Sequence, residues 1–149
     1  MCWWSFLREA QNIVEVKDVV VGPCGEKVGH ASAIVEEELE AGGEKLEGVY
    51  IRWLIGKNDN AKVFALRIVR MEPGSHIPAH AHPWEHEQYI LGGEGVFRIG
   101  SRKYRVRPGM FLYIPPNVEH EYWNTGSEDL VFICIVPLKP SAPEEKLNC

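Results

Sequence analysis

The stretch that decides the fold covers residues 74–95 and reads GSHIPAHAHPWEHEQYILGGEG. It contains four of the six histidines of the chain, and three of them follow the spacing His80-x-His82-x3-His86. Residues two apart on a β-strand point to the same side, so His80 and His82 can direct their imidazoles toward one point. A short turn over residues 83–85 would let His86 open the returning strand. An isolated histidine usually binds nothing, but neutral imidazole is the commonest protein metal ligand. The pattern therefore predicts a hairpin that holds a metal ion.

The order of glycines and histidines in this stretch resembles the first motif of the cupin family, G-x5-H-x-H-x3-E-x6-G. The residues that match are Gly74, His80, His82 and Gly93. His86 occupies the position at which the family has a glutamate ligand. A form of the motif with one more residue before the glutamate would select Glu87 instead, but the spacing to Gly93 favours His86.

A second cupin motif, G-x5-P-x-G-x2-H-x3-N, follows further along the chain. The residues that match it are Gly109, Pro115, His120 and Asn124. Asn117 replaces the inner glycine, and asparagine also tolerates the left-handed conformation, so a turn there is retained. Two motifs in the right order make the match specific.

The resemblance implies a fold class and a metal site. The fold would be all-β, a double-stranded β-helix or jelly-roll cupin barrel. One divalent metal ion would be bound by His80, His82, His86 and His120. Histidine-rich cupins often carry manganese or iron, which we favour, while zinc, nickel and copper also suit imidazole ligands. An octahedral ion with four histidines would keep two positions open for a small-molecule substrate or ligand.

Short strand-like segments separated by Gly, Pro and Asn turn signals begin at Val49 and independently predict an all-β sandwich or barrel. We therefore divide the chain into three parts. An N-terminal extension over residues 1–48 would contribute a strand that packs on the barrel or on a partner. The cupin barrel would cover residues 49–137, and a flexible, polar tail residues 138–149.

Three segments of the extension carry their own predictions. Residues 1–12 are apolar and aromatic at the front, where Trp3 and Trp4 would pack on the barrel or contact a second copy in a homodimer. The β-branched run Ile13–Val21 predicts a strand. The acidic run Glu36–Gly43 predicts a solvated loop or a short helix. His30 lies alone and is interpreted as structural or exposed.

Composition excludes some partners. The formal net charge of −5 leaves no basic surplus for phosphates, so nucleic acid is not expected as a partner. No apolar run is long enough to cross a membrane, and the start of the chain does not have the pattern of a signal peptide. The four cysteines lie far apart and form no C-x2-C pair. We therefore expect reduced thiols and a cytoplasmic location.

Strand parity also predicts the wall of a pocket. Gln88 and Ile90 would share a face with His86, and Tyr122 would share a face with His120. On the last strand, alternation alone leaves either face open, and the resemblance implies that Phe132 and Cys134 point inward. The candidates for the pocket wall are therefore Gln88, Ile90, Tyr122, Phe132 and Cys134. A buried cysteine most often acts as a small hydrophobic residue.

Three functions are compatible with such a site. A metal-dependent oxidoreductase of dioxygenase type, acting on a small organic substrate, is the first. A binding or sensing cupin without turnover is the alternative, and a sugar isomerase or epimerase is a further one. The identity of a catalytic base is left open, because His86 replaces the glutamate that the family usually has. Parity points Glu87 away from the metal, and only Glu85, in the turn, remains as a candidate.

Overall fold

A computed structural model describes residues 13–138 of the chain, which divides into two compact units between Ile34 and Val35. The first unit contains strands β1 (Val20–Val21) and β2 (Lys27–Val28), which pair antiparallel, and a 3-10 turn at Ala31–Ala33. The roles predicted for Trp3 and Trp4 and for the tail from residue 139 lie outside the described residues.

The second unit consists of ten strands and a 3-10 turn at Lys57–Asp59. The strands are β3 (Glu37–Ala41), β4 (Glu44–Ile55), β5 (Phe64–Met71), β6 (His76–His80), β7 (His86–Gly92), β8 (Gly95–Ile99), β9 (Arg102–Val106), β10 (Phe111–Ile114), β11 (His120–Asn124) and β12 (Leu130–Pro137). Among residues 13–138 there is no helix with the length and apolarity needed to cross a membrane.

Two antiparallel sheets form the second unit, in the strand orders β10-β7-β12-β5-β4-β3 and β6-β11-β8-β9. Their inner faces bury one hydrophobic core that includes Val69, Phe97, Tyr122 and Phe132. Strand β12 shows the alternation clearly, because Leu130, Phe132, Cys134 and Val136 are buried while the residues between them are partly exposed. The predicted all-β jelly-roll barrel is confirmed.

The predicted strand over Ile13–Val21 is wrong in extent. Only Val20 and Val21 are in a strand, because only these two residues find partners, in Val28 and Lys27. A β-branched run fits a pleated, half-buried surface, but it forms a strand only where another strand pairs with it.

The acidic run Glu36–Gly43, predicted as a loop or short helix, is instead strand β3 and its turn. Gly42 and Gly43 have φ angles of 62° and 83°. Two successive positive φ angles suit the tight turns that join hairpin strands, so this glycine pair connects β3 to β4. Glu38 also forms an ion pair with Lys45 on β4. The predicted boundaries of residues 1–48 and 49–137 stay predictions, and both β3 and β4 begin before Val49.

Gly93 lies in the turn that carries the chain from β7 in one sheet to β8 in the other. Its φ angle is 74°, and a Cβ atom at this position would overlap the backbone carbonyl oxygen of Asp129. Gly92 has neither constraint, because its φ is not positive and a Cβ there would meet nothing within 4 Å.

These two neighbours provide a matched stability test. Gly93→Ala should lower the free energy of unfolding by about 3 kcal/mol, since left-handed strain and a backbone overlap act together. Gly92→Ala should change it by less than about 1 kcal/mol. Urea unfolding of both variants, with metal removed by chelator, measures the difference. Equal stability of the two variants would contradict this explanation.

Candidate metal centre

Four imidazoles converge at one end of the barrel. His80 ends strand β6 and lies directly opposite His120, the first residue of β11, so the sheet register places the two rings side by side. His86 begins β7, and His82 lies in the connection between β6 and β7. One nitrogen from each residue lies within 4.8 Å of the others. The structure thus brings together all four histidines that the sequence singled out as ligands.

Main-chain carbonyls hold three of these rings. The Nδ1 atoms of His80, His82 and His120 lie 2.7, 2.9 and 2.8 Å from the carbonyl oxygens of Pro78, Trp84 and Val118. A carbonyl oxygen can only accept, so each Nδ1 carries the proton and donates it. The Nε2 atom of each ring therefore carries no proton and presents a lone pair. Second contacts of this kind fix the orientation of metal-binding histidines.

Burial keeps three of the four rings neutral. His86 and His120 are 4% and 0% exposed. Loss of solvent lowers the pKa of His86 from 6.5 to about 2 and the pKa of His120 to about 4. It also lowers the pKa of His82 to about 4. Neutral imidazole is the form that binds metal, so these three rings offer their lone pairs at physiological pH without a cost for deprotonation.

Two details test whether a metal ion fits the cluster. The Nε2 atom of His120 is buried and has no hydrogen-bond partner among the described residues, which is costly for a polar atom unless something else binds it. The Nε2 atoms of His82 and His86 lie 2.8 Å apart, so two ring nitrogens already face the same point. A divalent ion that accepts imidazole nitrogens would satisfy these atoms, and the residues present therefore fit such an ion.

The fourth ring has a different support. The Nδ1 atom of His86 lies 3.2 Å from Cys134 Sγ and 3.5 Å from Nη2 of Arg67. Arg67 is directly opposite Cys134 across β5 and β12, and Cys134 is directly opposite Gln88 across β12 and β7. A row of three polar side chains thus crosses three neighbouring strands behind His86.

A cavity of about 390 Å³ opens beside the four imidazoles. Its lining residues are Leu39, Glu40, Ala41, Gly42, Arg67, Val69, Ile77, His80, Ala81, His82, Trp84, His86, Gln88, Tyr122, Phe132 and Cys134. Of the pocket candidates, Gln88, Tyr122, Phe132 and Cys134 line this cavity. Ile90 does not. It lies one pleat further along β7 than Gln88, where it is fully buried in the core and its backbone bonds to Gly109 and Met110.

The two acidic candidates lie away from the cavity. The carboxylate of Glu85 accepts a hydrogen bond from the hydroxyl of Tyr113, and neither Glu85 nor Glu87 is among the lining residues. Glu87 is opposite Tyr113 across β7 and β10, and burial together with the charge of Glu85 raises the pKa of the Glu87 carboxyl. The carboxylate that does line the cavity is the exposed Glu40.

Arg67 is the residue that the sequence reasoning missed. A signal was present, because Ala65, Val69 and Met71 are apolar and alternate along one face of β5, with Arg67 among them. A charged residue in the middle of an inward-facing apolar row is unusual unless it is paired or functional. The hairpin residues Leu39 and Glu40 were missed as well, since β3 itself was not expected.

Comparison with known proteins identifies a cupin domain within the chain. Residues 67–136 match the cupin domain family. The chain is 29% identical over 101 residues to an oxalate-binding protein of Thermotoga maritima, a match that covers 67% of this chain and 82% of that protein.

Two solved structures are similar to this one. The polyketide cyclase RemF from Streptomyces resistomycificus has a TM-score of 0.71 at 27% identity, and the match covers 76% of this chain and 80% of that one. A protein described as a predicted oxalate decarboxylase from Thermotoga maritima has a TM-score of 0.65 at 26% identity, over 75% of this chain and 99% of that one.

The lowered pKa values generate a test of stability against pH in the metal-free protein. In the unfolded chain a histidine titrates near 6.5, whereas His86 and His120 in the folded chain stay neutral well below that value. Above about pH 6.5 the two rings are neutral in both the folded and the unfolded state, so they do not lower the free energy of unfolding. As the pH falls toward 4, only the unfolded state gains protons, so the free energy of unfolding should fall, by at most about 1.4 kcal/mol per pH unit for each ring.

Urea unfolding at pH 7, 6 and 5 measures this dependence. His86→Gln removes one of the buried rings and should make the decline shallower than in the unchanged protein. His30→Asn replaces an exposed histidine of the first unit and should leave it unaltered. A decline that is equally steep in all three proteins would show that the cluster is not its cause.

Proposed function

We propose that this cupin binds one divalent metal ion through His80, His82, His86 and His120 and uses it for dioxygenase-type oxidation of a small organic oxyanion. The single observation behind the proposal is the convergence of four imidazoles beside a cavity, with the pKa values of His82, His86 and His120 lowered by burial. Manganese or iron is the ion that we favour. When bound, such an ion supplies a Lewis-acidic or redox-active centre.

The charge of the ligand set supports an anionic substrate. No carboxylate belongs to the four-histidine cluster, so the residues that hold the ion do not neutralise it. An uncompensated cation attracts an enolate, phenolate or carboxylate oxygen. The relatives agree with this chemistry, since oxalate and polyketides both carry neighbouring oxygens that can chelate a metal.

The walls of the cavity support a small substrate with an apolar part. Ile77, Val69 and Phe132 line it together with Trp84, which stacks on the imidazole of His82 at a ring separation of 4.1 Å. Such side chains exclude water from the neighbourhood of the imidazoles, which strengthens electrostatic interactions there.

The cavity offers few groups that could accept a proton from a substrate. The carboxylate of Glu85 is engaged by Tyr113, outside the cavity, and the carboxylate that does line the cavity, that of Glu40, is exposed on the edge strand β3. We therefore propose that the substrate arrives already ionised and that no residue of the chain removes its proton. The pH dependence of the activity should follow the pKa of the substrate.

A binding or sensing protein is the second candidate. The missing base and the oxalate-binding relative favour it, because a chelating anion could be held without turnover. The sugar isomerase or epimerase ranks last, since no lysine is among the lining residues of the cavity. The cytoplasmic location stays a prediction.

Metal analysis combined with oxygen consumption tests the proposal. The protein purified from its own host should contain about one metal ion per chain and should consume O2 with an aromatic diol, a flavonol or a β-diketone. His82→Ala should abolish both the stoichiometric metal and the oxygen consumption, while His30→Asn should preserve them. Full metal loading without consumption of O2 for any of these compounds would favour the binding protein.

Glu85→Gln tests the absence of a base. Metal content and rate should both stay within about twofold of the unchanged protein, because the carboxylate faces Tyr113. The matched variant Tyr113→Phe removes the other partner of this hydrogen bond and should behave alike. A large loss of rate in Glu85→Gln alone, with metal retained, would refute the proposal that the substrate arrives ionised.

We also propose a homodimer. Strand β10 is at the edge of its sheet and exposes Phe111 at 82% and Tyr113 at 55%. An open edge with exposed aromatic side chains favours pairing with a second copy. Light scattering should give twice the chain mass of 16.9 kDa, and Phe111→Lys should shift the mass toward the monomer. A monomer mass for the unchanged protein would contradict the proposal.

A further inference from the structure

Arg67 is a cation inside the cavity without an anionic partner. Its side chain extends from the inward face of β5 and lines the cavity beside His86. No Asp or Glu of residues 13–138 forms an ion pair with it. Arg70, on the opposite face of the same strand, is ion-paired with Glu36 and Asp129 at 2.7 and 3.0 Å. The difference marks Arg67 as unusual, because buried or half-buried charges are normally paired.

The hydrogen-bond inventory of this guanidinium is also incomplete. A guanidinium carries five N–H donors and no acceptor. Within the described residues, Nη2 of Arg67 contacts Cys134 Sγ at 3.4 Å and Nδ1 of His86 at 3.5 Å. A thiol sulfur is a weak acceptor. The Nε atom is buried and has no partner. An N–H donor of a charged group that has no acceptor raises the free energy of the folded protein. A ligand oxygen that accepted this hydrogen bond would remove the cost.

Metal binding would remove one of the two existing contacts. His86 faces the other ring nitrogens with Nε2, so a metal ion on Nε2 leaves the ring proton on Nδ1. The Nδ1–H group can then donate to Cys134 Sγ, but it can no longer accept from Arg67. With a metal ion bound, the site would hold two cations, the ion and the guanidinium, on either side of the His86 imidazole. The guanidinium would then keep only Cys134 Sγ as a partner.

We propose that Arg67 binds a second anionic group of the substrate, and that the substrate is therefore a small dianion with a metal-chelating end and a carboxylate a few bonds away. This inference rests on the proposed role of the four histidines as metal ligands. The chelating end neutralises the cation held by the imidazoles, and the distal carboxylate pairs with the guanidinium.

Two features suit Arg67 to this task. Its guanidinium carbon lies 5.2 Å from the ring centroid of Trp53, directly opposite on β4, so an aromatic face supports the planar group. A guanidinium presents a fork of parallel N–H donors that matches the two oxygens of a carboxylate, which a lysine cannot reproduce. The Arg67 guanidinium lies close to His86. This proximity limits the length of the substrate, because both of its anionic ends must fit within one cavity.

The experiment uses the full chain loaded with zinc, which is redox-inert, and two probes that differ only at the distal end. Malate and 2-hydroxybutyrate share a hydroxy-acid chelating group and four carbons, but only malate ends in a second carboxylate. Calorimetry should show that Arg67→Gln weakens malate binding by about 10- to 100-fold, the loss expected for a charge-assisted hydrogen bond. Binding of 2-hydroxybutyrate should change by less than about threefold.

Two further variants serve as controls. Arg67→Lys keeps the charge but loses the fork, so its malate affinity should fall between those of the unchanged protein and Arg67→Gln, and it keeps the test informative if Arg67→Gln does not fold. Lys103→Gln removes one positive charge from β9, where the amine lies over Trp123, and should bind both probes as the unchanged protein does. Zinc content is measured in every sample.

Each outcome has a distinct meaning. If the unchanged protein takes up no zinc, the four-histidine site fails and the inference fails with it. If it is fully loaded with zinc but binds neither probe, the inference alone is overturned. If it binds both probes and Arg67→Gln weakens both equally, or weakens malate by less than threefold, the inference alone is overturned. It is also overturned if lost malate binding follows lost zinc, because Arg67 would then act only by supporting His86.

Discussion

The hydrogen bonds from three imidazoles to main-chain carbonyls are the constraint on which the site depends. Each carbonyl belongs to a residue two positions from its histidine, at Pro78, Trp84 and Val118. The anchor is therefore built into the local backbone and does not rely on a distant side chain. It selects the tautomer with a free Nε2 atom and directs that atom toward the other rings. Burial then keeps the pKa of each buried ring low enough for the lone pair to stay available.

The same locality explains how much of the molecule could be predicted from the sequence. The spacing of His80, His82 and His86, and the second motif around His120, depend on strand alternation and short turns, which the sequence displays directly. The barrel follows from the same signals. Residues brought together by distant strand pairing were harder to see. Arg67 reaches His86 only because β5 pairs with β12, and β12 with β7, in a particular register.

Two errors in the N-terminal part have one physical origin. The composition of Ile13–Val21 predicted a strand, but only its last two residues are in one. The run Glu36–Gly43 was predicted as a solvated loop or short helix, but it forms strand β3 and its turn. Strand formation requires a partner, and composition reports only suitability for one. The pair Gly42–Gly43 was the informative feature, because two residues at positive φ close a hairpin whatever the charge of the strands beside them.

The hairpin of β3 and β4 has a consequence for how this cavity can diversify. Leu39, Glu40 and Ala41 form one side of the cavity, yet they belong to β3, one of the two edge strands of the six-stranded sheet, and hold none of the imidazoles. The register of β3 against β4 shifts between Glu38 and Glu40, so this strand already departs from regular pairing. Substitutions here can reshape the wall while the carbonyl anchors stay intact. The shape of the cavity wall and the arrangement of the imidazoles are thus separable traits, open to independent change during evolution.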